Sequence, residues 1–217
     1  MRGPRRFGVP GVRGIPDGIF RRYAFAWSYL TGYVIAEIVY AALSPSARAA
    51  LTGWATTSVA NLEHEPAGPL IASAFTGSGD YVALPLLIAL AVFGANRALG
   101  NVRTALICVA GHVIGTLASE GMVAYRVDAG QLPVSYRHLQ DVGPSYIVMS
   151  AIVIALACGT RPARLAAVLD LGILVFIGDA FGGLSRLDVA AVGHLTAALT
   201  ALACVTRCAR PRSRSGR

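Results

Sequence analysis

What most constrains this chain is a series of six apolar runs, at 23–43, 81–99, 104–119, 143–158, 165–181 and 189–206. Each approaches the ~20 residues that a helix needs to cross a hydrocarbon core. Composition agrees: 55% of the 217 residues are hydrophobic and 14% are charged, where a soluble domain carries about a quarter charged. The mean hydropathy is +0.59. The pattern predicts an all-α polytopic membrane protein of six spans, with the bilayer as its surroundings.

The connections set the orientation. All 19 basic residues are Arg, and arginine favours the cytoplasmic side of a membrane. With the N-terminus inside, the inner segments hold Arg2, Arg5, Arg6, Arg13, Arg21, Arg22, Arg97, Arg103, Arg161, Arg164, Arg207, Arg210, Arg212, Arg214 and Arg217. The outer loops hold only Arg48, Arg126, Arg137 and Arg186. Both termini are therefore expected in the cytoplasm. The division is a disordered Arg-rich tail at 1–22, a membrane domain at 23–206 and a second Arg-rich tail at 207–217. The net charge of +8 follows from topology, so nucleic acid is not expected as a partner. Cys108, Cys158, Cys204 and Cys208 lie in the half assigned to the cytoplasm and read as reduced packing residues. Between the first two runs, 44–80 is too polar to span; it predicts a short helix at 47–60 and a turn-rich loop at 61–66. A connection of this length is an element with a purpose.

The fourth run opens with Asp141-Val142-Gly143-Pro144-Ser145-Tyr146. It places a hydroxyl on the first turn of a helix, behind a Gly-Pro breaker. The sixth run carries Gly193-His194. Six residues beyond Asp188, the imidazole lies roughly 9 Å down the descending helix at 1.5 Å per residue. A serine and a neutral imidazole at matched depth are the minimum parts of an activated nucleophile. For them to meet, the fourth helix must begin below the surface. On the third run His112, Thr116 and Glu120 fall four residues apart on one face, and ionisable groups inside a membrane are functional candidates. Gly111 and Gly115 frame His112 in a small-xxx-small face suited to close helix packing.

Taken together these features resemble the rhomboid intramembrane serine proteases. The likeness runs from Tyr23 to Thr206. It rests on six spans with both ends inside, a long outer loop after the first, and Gly143-Pro144-Ser145 opening the fourth. On the sixth, His194 is followed by small residues at Ala197 or Ala198 and at Ala201. Ser73-Ala74-Phe75-Thr76, the Arg97–Gly100 turn and Gly178-Asp179-Ala180-Phe181-Gly182 add to it. The resemblance implies a Ser145 nucleophile and a His194 general base, without the buried Asp of soluble triads. It implies that Gly143 lets the loop approach a substrate and that the Ser145 amide serves an oxyanion hole. The substrates would be membrane-anchored proteins, cut near the outer face of a bacterial plasma membrane, with no cofactor and no metal.

Several positions depart from the family pattern. Tyr146 stands where glycine usually follows the nucleophile, and Asp80 and Leu84 stand where a His and an Asn usually serve as oxyanion donors. His112 is expected to replace the missing donor, with Glu120 and Tyr146 as further cavity candidates. Asp141 reads as a loop cap. Asp170 and Asp179, nine apart, fall on opposite faces of the fifth helix and make no acid pair. A metal site from His112, His194 and Asp80 lacks any local ligand motif. The competing readings are an inactive rhomboid-like protein that binds transmembrane helices and a small transporter working through Asp170 or Glu120.

Overall fold

The computed structural model describes residues 17–77 and 82–209. The described residues are helical, with no strand among them. In chain order the helices are α1 (Asp17–Arg22), α2 (Ala24–Ala42), α3 (Pro45–Ala55), α4 (Val59–His64), α5 (Ala67–Ser73), α6 (Ala83–Leu99), α7 (Asn101–Asp128), α8 (Ser145–Cys158), α9 (Arg161–Phe176) and α10 (Val189–Ala209). Single 3-10 turns sit at Val134–His138 and Leu184–Arg186. Two helices, Asn101–Asp128 and the stretch Val189–Arg207, are long and apolar enough to cross a membrane, while α6 and α8 are shorter apolar helices.

Each apolar run of the sequence holds one long helix, and local chemistry sets the ends. Pro162 in the first turn starts α9, where a missing N–H costs nothing. Gly100, at φ 78, turns the chain between α6 and α7. Two expectations are corrected. The third helix does not stop at Ser119 but continues to Asp128, because Ser119, Glu120, Val123 and Val127 form a buried face that extends the helix past the apolar window. The fifth ends at Phe176, and Asp179 adopts φ 50 in the turn beyond it; Asp179 therefore shares no helix with Asp170.

The long connection also differs from expectation. Its single short helix is two, broken at Thr56–Ser58, and Asn61 to His64 are helical rather than loop. Ser58 caps α4 by accepting from the Asn61 amide, and Ser44 caps α3 from the Ala47 amide. Thr56–Ser58 are buried, and Thr56 and Thr57 bond across to Asp141 in the loop ahead of α8.

α8 is the hub. It packs against α6, α7, α9 and α10, and nine of its fourteen residues are buried, from Tyr146 through Ala155. At 1.5 Å per residue it is about 21 Å long, short of the ~30 Å hydrocarbon thickness. The segment ahead of it is tied to the long connection, the Asp141 backbone bonding Thr56 and Thr57. α7 and α10 approach closely where side chains are smallest. A Cβ built on Gly115 would lie 2.9 Å from the Gly193 carbonyl oxygen and 3.5 Å from Ala197, so the small-xxx-small face is used as such. Cys108 is buried, Cys204 half-buried and Cys158 exposed, all free thiols. Cys208's side chain, Asp80, and the tails at 1–16 and 210–217 lie outside the described residues.

Candidate functional site

Gly143 takes φ 132, a conformation that side-chain-bearing residues avoid. Its amide donates to the Ser73 carbonyl at 2.9 Å. The chain turns there, and Pro144 leads into Ser145 as the first residue of α8. Ser145 is half-buried. Among the described residues no hydrogen bond joins its hydroxyl to His194.

The residue that meets α10 is the next one. Tyr146 is 97% buried, and its ring stands edge-on to the His194 ring with centroids 5.1 Å apart. A Cβ on Gly193 would collide with the Tyr146 hydroxyl end, and Gly115 approaches the other side of the same ring. One turn further on, Ser150 fills the notch at Gly111 beside Ala197 and donates back to the Tyr146 carbonyl. The α10-facing stripe of α8 therefore runs through Tyr146 and Ser150. Ser145 is turned about 100° away from it, the rotation of one helical residue.

His194 is buried. Its Nδ1 lies 2.8 Å from the Ala180 carbonyl, and a carbonyl only accepts, so Nδ1 carries the proton. Nε2 is then a bare acceptor, buried and without a partner among the described residues. His112 repeats the arrangement from α7. Its Nε2 donates to the Leu70 carbonyl at 2.9 Å, with the Ser73 hydroxyl at 3.3 Å, and Nδ1 is buried and without a partner among the described residues. The His112 ring is 6.1 Å from Tyr146, so two imidazoles flank one phenol. Thr116 and Glu120 continue the His112 face, both buried, and the Thr116 hydroxyl has no hydrogen-bond partner among the described residues.

Asp141 ties this group to the long connection. Its carboxylate accepts the Tyr146 hydroxyl at 2.9 Å. Its carbonyl accepts the Thr57 amide at 3.0 Å and the Thr57 hydroxyl at 2.9 Å, while its amide donates to the Thr56 hydroxyl at 2.7 Å. Burial raises the Asp141 carboxyl above its ordinary range, and the Tyr146 and Thr57 hydrogen bonds oppose that rise.

A family model described as "rhomboid-like protein" matches residues 20–215. The chain belongs to the rhomboid-like family. No curated protein and no solved structure matches it. With its apolar helices, this rhomboid-like chain is an integral membrane protein. Of its expected site residues, the fold gathers His194, His112, Tyr146 and the Glu120 face around one buried group. Ser145 and Gly143 sit at its edge. Leu84 is half-buried against the main core and has no polar atom to offer.

Sequence reasoning missed the Tyr146–Asp141 pair and the threonines that hold Asp141. A signal was available: Tyr146 and Ser150 are spaced i, i+4, and Gly193 next to His194 leaves room for a ring. As built, the group offers bare imidazole nitrogens and a phenol committed to a carboxylate. It can accept protons or hold polar atoms, but the hydroxyl on which nucleophilic attack depends is not bonded to its base.

Proposed function

We propose that this rhomboid-like protein holds the transmembrane segments of membrane-anchored polypeptides without cutting them. In this reading six helices span the membrane, the membrane domain covers 23–206, and both Arg-rich tails face the cytoplasm of a bacterium. The observation that carries it is the register of α8, in which Tyr146 rather than Ser145 occupies the place against His194. A nucleophile and its base need ~2.6–3.2 Å between heavy atoms, and among the described residues no hydrogen bond joins Ser145 to His194, whose ring packs edge-on to Tyr146. Apolar recesses on the bundle wall support the binding half of the reading. One, of about 400 Å³, is lined by Val153, Leu156 and Ala157 of α8 and by Ala198, Leu199 and Leu202 of α10.

The second reading, a Ser145–His194 peptidase, draws support from His194 itself. A neutral imidazole with Nδ1 fixed by a carbonyl and Nε2 bare is the state a general base requires. That reading needs the Ser145 hydroxyl to come within hydrogen-bond reach of Nε2.

A serine-directed fluorophosphonate probe separates the two. On the membrane-embedded protein we expect no labelling of wild type or Ser145→Ala, while cross-linking captures single-span membrane proteins equally with both. Labelling of wild type that disappears in Ser145→Ala would overturn the proposal in favour of the peptidase.

A further inference from the structure

The four arginines on the expected outer side are few enough that each calls for a reason. Arg48 donates to the Tyr40 and Ala41 carbonyls and so caps the end of α2. Arg137 bridges Glu63 at 2.8 Å and Asp128 at 2.7 Å. Arg126 and Arg186 have no acidic partner among the described residues. Both line one recess of about 350 Å³ where α7 ends and α10 begins.

The recess is built for more than water. Arg126 donates to the Arg186 carbonyl at 3.2 Å, which fixes one guanidinium to the segment that carries the other. The floor is apolar: Val123 and Val189 are buried and packed with Leu132 into a small separate cluster. Tyr136 adds an aromatic hydroxyl to the wall. Asp188 also lines it, so the wall carries two positive charges against one negative. A ligand matching this surface is an anion with an apolar continuation. Arginine's fork suits phosphate oxygens, and the ends of membrane helices lie at the depth of lipid head groups.

We propose that this recess binds the phosphate of an anionic phospholipid head group between Arg126 and Arg186, with the glycerol and first acyl carbons over the Val123–Leu132–Val189 floor. The lipid joins the end of α7 to the start of α10, the helix that carries His194. The site is separate from the Tyr146 group and holds whether or not the chain cuts peptides.

The test is native mass spectrometry of the full-length protein in detergent, titrated with phosphatidylglycerol and, separately, phosphatidylcholine. We expect wild type to retain phosphatidylglycerol at least tenfold more strongly than phosphatidylcholine. Arg186→Gln, at an exposed position that leaves the fold intact, and Arg126→Gln should each lose that preference, with Arg126→Lys keeping part of it. Arg48→Gln should match wild type. Equal retention by Arg186→Gln and wild type, or no preference for the anionic lipid, overturns the site. Displacement of phosphatidylglycerol by millimolar inorganic phosphate overturns the lipid as its source.

Discussion

Gly193→Ala is a sharp probe of the slot in which Tyr146 sits. The new methyl would occupy the space of the phenol's hydroxyl end, and Tyr146 is closed in by Gly115 on α7 and held by Asp141. Overpacking of this kind costs about 1–3 kcal/mol. If the ring must swing out, the Tyr146–Asp141 hydrogen bond is lost as well, a further ~1.5–3 kcal/mol for a charged acceptor. Alanine returns up to ~1 kcal/mol of helix propensity, leaving a net loss of roughly 1.5–5 kcal/mol by these terms. Tyr146→Ala alone should cost about 3–5 kcal/mol through its cavity. In the double variant the methyl meets no ring, so Gly193→Ala should become neutral or stabilising, a coupling at least as large as the single-variant loss. Reversible unfolding in mixed micelles, followed by tryptophan fluorescence, measures all four corners of the cycle. If Gly193→Ala costs the same with and without the phenol, Tyr146 does not fill that slot and the argument about the register of α8 fails.

Further tests follow from the same contacts. In Tyr146→Phe the Asp141 carboxyl loses a hydrogen bond that favours its charged form. Its folded pKa, already raised by burial, rises further above the unfolded value of about 3.9. A carboxyl raised on folding weakens stability as pH climbs from its unfolded pKa through its folded one, so the cost of Tyr146→Phe should be greater at pH 7 than at pH 4, read from melting curves across that range. His112→Ala removes the donor to the Leu70 carbonyl and should destabilise by about 1–3 kcal/mol; faster hydrogen exchange at α5 amides, with α10 unchanged, would locate the effect. Arg137→Gln should raise protease nicking between 129 and 140, and high salt should reproduce the effect on wild type, because the Glu63 and Asp128 bridges are surface pairs.

The long helices were legible because each run is apolar over most of its length, with at most a few ionisable residues inside it. Their ends were less so. Glu120 reads as the start of a loop when charge is weighed alone, yet it sits 98% buried on a helix that continues for two more turns. Gly178 and Asp179 sit inside an apolar window but end the helix through backbone conformation, which composition does not record. At the site, Ser145 and His194 stood out as types. Which neighbour on α8 faces α10 turns on a single residue of register, set by Ser150 settling at Gly111. That is a packing decision among α7, α8 and α10, far apart in the chain, and no local sequence states it.

The shortness and enclosure of α8 bear on how the chain is made. A fourteen-residue helix whose flanks are protein has little lipid-facing side to keep it in the bilayer, so the translocating machinery cannot simply release it and let it wait. α6 and α7 emerge before it, but α9 and α10, which close its other flanks, have yet to emerge when Cys158 leaves the ribosome. The fourth segment should therefore stay beside the insertion channel until the C-terminal helices arrive, and chains truncated after Cys158 should remain cross-linkable to that channel.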